Sequence, residues 1–132
     1  GVSVGNPHCV VFKPTGESWS REELLALGPA LEHHKLFPKR TNVQLVVPTG
    51  RNEVFILIWE RGAGETQASG SSSCAAASAA VRLGLVKSPV TVKMPGGVLN
   101  IDVAPDFSLT MKGPVAEVAR GTLSPSFIRG LK

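Results

Sequence analysis

Residues 71–83 limit the fold more than any other part of the chain. Their apolar members are almost all small: Ala75, Ala76, Ala77, Ala79 and Ala80. Alanine is the best helix former, and Gly84 stands where a helix C-cap belongs. A helix lined with alanine on nearly every side has little amphipathic contrast. It suits a central position that strands approach closely all round. The flanking segments agree. Residues 2–12 read as a strand interrupted at Gly5-Asn6-Pro7, because proline removes a ladder donor. Residues 42–47 and 53–59 are apolar, β-branched runs on either side of Pro48-Thr49-Gly50-Arg51-Asn52, the pattern of a hairpin. Residues 90–94, 98–103 and 107–111 read as short strands, separated by turns at Pro95-Gly96-Gly97 and Ala104-Pro105-Asp106. Residues 115–123 read as a final strand, and the tail to Lys132 has no assignment.

One further helix is legible. Ser20-Arg21-Glu22-Glu23 has the form of a capping box, with Glu23 three residues after the capping serine. Leu24, Leu27 and Leu31 follow at helical spacing, so an amphipathic helix is expected over 21–34. Gly28-Pro29 should kink or restart it. The sum is an α+β domain: about eight strands in a curved sheet or barrel wrapped around the Ala-rich helix, plus the amphipathic helix.

Composition removes other classes. The 132 residues are 42% apolar and 18% charged, which makes one globular domain, residues 1–132. The longest apolar run, residues 54–59, falls far short of the ~20 residues that span a membrane. A net charge of +4 could suggest nucleic acid, but the basic residues are scattered and only Lys39 and Arg40 adjoin. With no tyrosine, five phenylalanines and two tryptophans, base-stacking platforms are scarce. No leader pattern opens the chain, so Cys9 and Cys74 are expected as free thiols in a reducing cytoplasm. The histidines have no zinc-ligand spacing relative to these cysteines, so no metal is expected.

The chemistry gathers at one junction. Glu60-Arg61-Gly62-Ala63-Gly64-Glu65-Thr66 ends an apolar strand, and Ser69-Gly70-Ser71-Ser72-Ser73 opens the Ala-rich helix. A helix start offers unpaired N–H groups and partial positive charge to an anion such as a carboxylate. An adjoining arginine can pair with that anion, and a glutamate can receive an ammonium group. The bland alternative is a glycine-rich turn followed by a serine cap. A phosphate loop is excluded, because its lysine is missing. A nucleophile elbow is excluded too, since Ser69 lacks the preceding glycine that motif needs.

Three segments in order resemble the signatures of the diaminopimelate epimerase family: Gly5-Asn6-Pro7-His8-Cys9, Leu36-Phe37-Pro38-Lys39-Arg40-Thr41-Asn42-Val43 and Trp59-Glu60-Arg61-Gly62-Ala63-Gly64-Glu65-Thr66. The resemblance spans essentially the whole chain and concerns the C-terminal half of that enzyme. It implies two similar domains in the full protein, each a β-barrel around a central helix, with the active site in the cleft between them. It implies that Asn6 and Asn42 bind the amino-acid end of the substrate and that Glu60 and Arg61 grip its ammonium and carboxylate. The backbone at Gly70 and Ser71 would complete a carboxylate hole. His8 would support the catalytic group at position 69, with Glu60 counted in the catalytic set. The implied reaction is epimerisation at an α-carbon without cofactor or metal, using one cysteine from each domain. The implied partners are a small amino acid, the N-terminal domain of the same enzyme and a second copy in a homodimer, with neither nucleic acid nor membrane.

The chain departs from the family at one position. Where the family has Ala-Cys-Gly, this sequence has Ala68-Ser69-Gly70. Cys74 corresponds to a second, non-catalytic family cysteine. A thiol titrates near pH 8.5 and lower at a helix start, whereas a serine hydroxyl needs a partner base. Three explanations stay open: an inactivating change in a true epimerase, a paralogue with another substrate, or a one-base isomerase, racemase or dehydratase. A catalytically inactive domain that binds amino acids or dimerises is the non-enzymatic alternative. The isolated chain is expected to be inactive.

Overall fold

A computed structural model describes residues 1–131. Eight strands and three helices follow one another: β1 (Val2–Ser3), β2 (Pro7–Phe12), α1 (Arg21–Glu32), β3 (Asn42–Gly50), β4 (Glu53–Glu60), β5 (Gly64–Thr66), α2 (Gly70–Arg82), β6 (Val90–Met94), β7 (Gly97–Val103), β8 (Leu109–Lys112) and α3 (Pro125–Gly130). All eight strands belong to one sheet in the order β1-β2-β3-β4-β6-β7-β8, with β5 paired to β4. Two pairs are parallel, β2 with β3 and β4 with β6. A parallel pair needs a long crossover, and the two long helices supply the crossovers. α1 links β2 to β3, and α2 links β4 to β6.

The helices lie on opposite faces of the sheet, which explains the hydrophobic pattern of its centre. Along β3 and β4, Val46, Val54, Ile56 and Ile58 face α2, packing on Ala76, Ala77 and Ala80. Val43, Leu45, Leu57 and Trp59 face α1, packing on Leu24, Leu27 and Leu31. A strand covered on both faces reads as an unbroken apolar run, as residues 42–47 do. α2 packs against β1 through β4 and against β6 through β8. Alanine lets the sheet curl that tightly, because each strand comes close to the helix axis. The expected α+β architecture of about eight strands around a buried Ala-rich helix is therefore present.

Differences from the sequence reading have local causes. α1 runs unbroken through Pro29 to Glu32, with Ser20 and Glu23 forming both bonds of the capping box. Pro29 lacks only the N–H that would have bonded the carbonyl of exposed Leu25. Gly28 shows why the Gly-Pro pair is there: a Cβ on it would lie 2.5 Å from the Trp59 ring. β8 begins at Leu109 rather than Phe107, because Phe107 adopts a left-handed backbone (φ 65°) at the end of the preceding turn. Residues 115–123 are not a strand. They are exposed throughout, with Val115 98% and Val118 95% accessible. A strand exists through its ladder, and no described segment pairs with this one. Beyond it, Ser124 caps the short helix α3.

Candidate active site

The three motif segments converge at the C-terminal ends of β4 and the N-terminus of α2. The register of β2 and β3 sets His8 opposite Asn42, and both His8 and Gln44 point to the α2 face. There they form a buried chain of polar contacts. Asn6 Oδ1 accepts from His8 Nε2 at 3.0 Å. Gln44 Nε2 donates to His8 Nδ1 at 2.8 Å and to Ser72 Oγ at 2.9 Å. Gln44 Oε1 is buried without a partner. These contacts define His8 as a neutral imidazole with its proton on Nε2. Burial is the main influence on it and holds its pKa below the ordinary 6.5. The charge of Arg61 lowers it further, while that of Glu60 raises it.

The turn after β4 carries that charged pair. Gly62 and Gly64 take positive φ (79° and 81°), which lets the chain reverse within a few residues. Asn42 stitches the turn to the sheet: its Nδ2 donates to Pro7 O at 3.0 Å and its Oδ1 accepts from Arg61 N at 2.8 Å. The Arg61 guanidinium donates to Lys39 O at 3.1 Å and remains exposed. The Glu60 carboxylate, half-buried, has no hydrogen bond or ion pair among the described residues. It is placed to receive a cation.

The helix start supplies the other half. Ser69 is the N-cap of α2, and its Oγ accepts from Ser72 N at 3.2 Å. Ser73 N bonds Ser69 O at 3.1 Å, and Ser73 Oγ also donates to it. The N–H groups of Gly70 and Ser71 have no partner among the described residues, so they are open to an anion. Beside them lies a cavity of about 260 Å³, lined by Ser69, Gly70, Met94, Gly96, Val98 and Leu99. A larger apolar groove of about 460 Å³ lies against Ala79, Arg82 and Leu83 toward the other end of α2, and its wall includes Val2 and Val4 of the N-terminal segment.

The sequence-expected residues thus group as follows. Asn6, His8, Asn42, Glu60, Arg61, Ser69, Gly70 and Ser71 all lie at one end of the sheet. His8 makes no hydrogen bond to Ser69; it reaches the helix start only through Gln44 and Ser72. Asn42 serves the backbone with both ends of its amide and is 7% exposed. Ser69 touches Ser72 N and Ser71 Oγ, and no base stands beside it. Cys9 and Cys74 are free, and burial raises both thiols, which suits inert packing rather than nucleophilic chemistry. Among the described residues no cluster of histidine, cysteine and carboxylates could hold a metal ion. No described helix is long and apolar enough to cross a membrane.

Three contributors escaped the sequence reading: Gln44, Ser72 and Glu32. Glu32 is the one with a detectable signal. It stands eight residues after Leu24 and four after Gly28, on the buried stripe of α1, where a carboxylate is out of place.

The sequence model of the family described as diaminopimelate epimerase matches residues 1–118. The diaminopimelate epimerase of Sphingopyxis alaskensis is 46% identical over 120 residues, covering 91% of this chain and 44% of that protein. The one from Azotobacter vinelandii is 49% identical over 121 residues, covering 91% of this chain and 43% of that protein. The chain therefore spans less than half the length of these relatives and corresponds to their C-terminal part. Among solved structures, a PhzF-family phenazine biosynthesis protein of Bacillus anthracis superposes with a TM-score of 0.58 at 16% identity, over 81% of this chain and 34% of that one. At such low identity the likeness concerns the fold alone, and it agrees with a curled sheet around a central helix. The family match over most of the length and relatives at nearly half identity lead to one conclusion: the chain belongs to the diaminopimelate epimerase family.

Proposed function

We propose that this chain forms one wall of the active site of a cofactor-independent amino-acid epimerase, with diaminopimelate as substrate and lysine biosynthesis as its setting. The observation that carries the reading is the convergence of an unpaired carboxylate, an exposed guanidinium and two open helix N–H groups at one end of the sheet. That set complements a zwitterion. The substrate carboxylate would sit against the Gly70 and Ser71 amides and Arg61, and its ammonium against Glu60. Asn6, oriented by His8, would add a polar contact. The second wall would come from an N-terminal domain of the same enzyme. A homodimer and a cytoplasmic location complete the proposal, the latter in keeping with two free thiols.

Epimerisation requires one group to remove the α-proton and another to return a proton on the opposite face. Ser69 occupies the place from which this wall would act. Its hydroxyl has no neighbouring base, and its Oγ already accepts from Ser72 N. A thiol there would have its anion favoured by the same N–H and by the helix dipole. Ser69→Cys in the full-length protein is therefore expected to raise the rate of α-proton exchange into heavy water by about a hundredfold, the usual contribution of a positioned acid–base group. No exchange from diaminopimelate in either form would sink the epimerase reading. Product analysis showing dehydration or double-bond migration would favour the one-base isomerase or lyase, the reading to which a serine at position 69 lends weight. The 132-residue chain alone is expected to show no turnover, since it supplies one wall only; measurable turnover would refute that.

A further inference from the structure

The Arg61–Gly62 turn is exposed and glycine-rich, yet two consecutive backbone N–H groups in it are held from behind. Asn42 Oδ1 takes the N–H of Arg61, and Glu32 Oε1 takes the N–H of Gly62 at 2.9 Å. Glu32 is a buried carboxylate, with its side chain only 5% accessible. Its other oxygen accepts from the indole Nε1 of Trp59 at 2.8 Å. Arg40 Nη1 reaches Oε1 from the solvent side at 3.3 Å. Trp59 in turn lies between two glycines. Gly28 leaves room for its ring beneath, and the Cβ position of Gly64 is 3.6 Å from it above.

The chemistry of this arrangement exceeds what packing alone requires. A buried charge is unfavourable unless its oxygens are satisfied, and an apolar residue usually stabilises such a position as well or better. Here the two oxygens point in two directions and join α1, the end of β4 and the turn. A neutral glutamine has one oxygen and would present an NH₂ donor to either the indole or the Gly62 N–H. Only a carboxylate can accept from both. The group so fixed is the backbone on either side of the Arg61 side chain, whose guanidinium is steadied again by Lys39 O at the end of the α1–β3 connection.

We infer that Glu32 is a positioning residue for substrate binding: through Gly62 and Trp59 it sets the direction of Arg61. This rests on the proposed role of Arg61 as the carboxylate grip. Glu32 touches no reacting atom and acts through the turn.

The test is a double-mutant cycle on diaminopimelate affinity, read by titration calorimetry on the full-length protein. Glu32→Gln is expected to weaken binding about tenfold, the equivalent of one misdirected charge-assisted bond. Arg61→Ala should weaken it at least as much. In the Arg61→Ala background, Glu32→Gln should add little, because its effect passes through the missing guanidinium. A merely structural role would lower the melting temperature and leave affinity unchanged in folded protein, or would add its full effect in both backgrounds; either result overturns the inference. If Glu32→Gln does not fold, Glu32→Asp keeps the charge while shortening its reach, and the same cycle is read with it. Failure of the parent protein to bind diaminopimelate would overturn the functional reading and this assignment with it. Binding that Arg61→Ala weakens but no Glu32 variant changes would overturn this assignment alone.

Discussion

The two loops that meet at the site are held by opposite means. The turn after β4 is pinned by side chains remote in sequence: Asn42, 19 residues before Arg61, and Glu32, 30 residues before Gly62. The start of α2 is capped from within, with every bond of Ser69 falling within four residues, and Gln44 reaches it only at Ser72. The guanidinium side of the proposed carboxylate grip is thus a tertiary construction, and the cap on its amide side is a local one. A change in the packing of α1 should disturb the first and leave the second intact. A change at position 69 should do the reverse.

Gly28→Ala should break the remote construction most severely. The new Cβ would fall 2.5 Å from the Trp59 ring, which is rigid and fixed at its far end by Glu32. Overpacking of this kind costs about 3 kcal/mol, offset by about 1 kcal/mol for the better helix propensity of alanine. A net loss of about 2 kcal/mol is expected in urea unfolding, with a change in Trp59 fluorescence. A neutral outcome would show that the ring is free to move and that the turn does not depend on it.

Ser69→Ala should have a smaller, local effect. It removes the acceptor of the Ser72 N–H and should cost about 1 kcal/mol, the usual value of an N-cap. The Trp59 signal should stay as in the parent. Coupling between Gly28→Ala and Ser69→Ala is expected to be close to zero, because the two loops share no contact of either kind. Strong coupling would erase the distinction between them.

The same division explains what could be read from the residues alone. The capping box at Ser20 and Glu23, the hairpin of β3 and β4, and the Ala-rich α2 are local or periodic features, and all are present. The three motif segments also meet, as their resemblance to one family implied. Glu32 stands out on the buried stripe of α1, but its partners and those of Gln44 were not legible, because they lie 27 to 36 residues away and are brought close only by tertiary packing. Residues 115–123 failed for the converse reason. Their composition suits a strand, but composition cannot supply a neighbour. β5 is three residues long within a glycine-rich turn, too short for any period to show.

The smallest expected effect separates the two constructions by pH. His8 sits in the chain that links Asn6 to the start of α2, and burial favours its neutral form. The unfolded chain takes up a proton near pH 6.5, while the folded chain takes it up only at lower pH. The unfolded state therefore binds more protons in that interval, and stability falls as pH drops below about 6.5. Glu32 acts later. Trp59 and Gly62 hold its pKa below the ordinary 4.5, so its contribution is intact above that value and is lost as pH falls through the lower folded value. A thermal melt series from pH 8 to 3 should show two declines, the first removed by His8→Asn and the second reduced by Glu32→Gln, with a remainder from Glu23, Glu53 and Asp106, whose carboxylates are also held below their ordinary values. A single decline below pH 4.5, unchanged by His8→Asn, would mean that His8 accepts its proton in the folded protein. That would break the polar chain from Asn6 to Ser72 rather than the turn at Arg61.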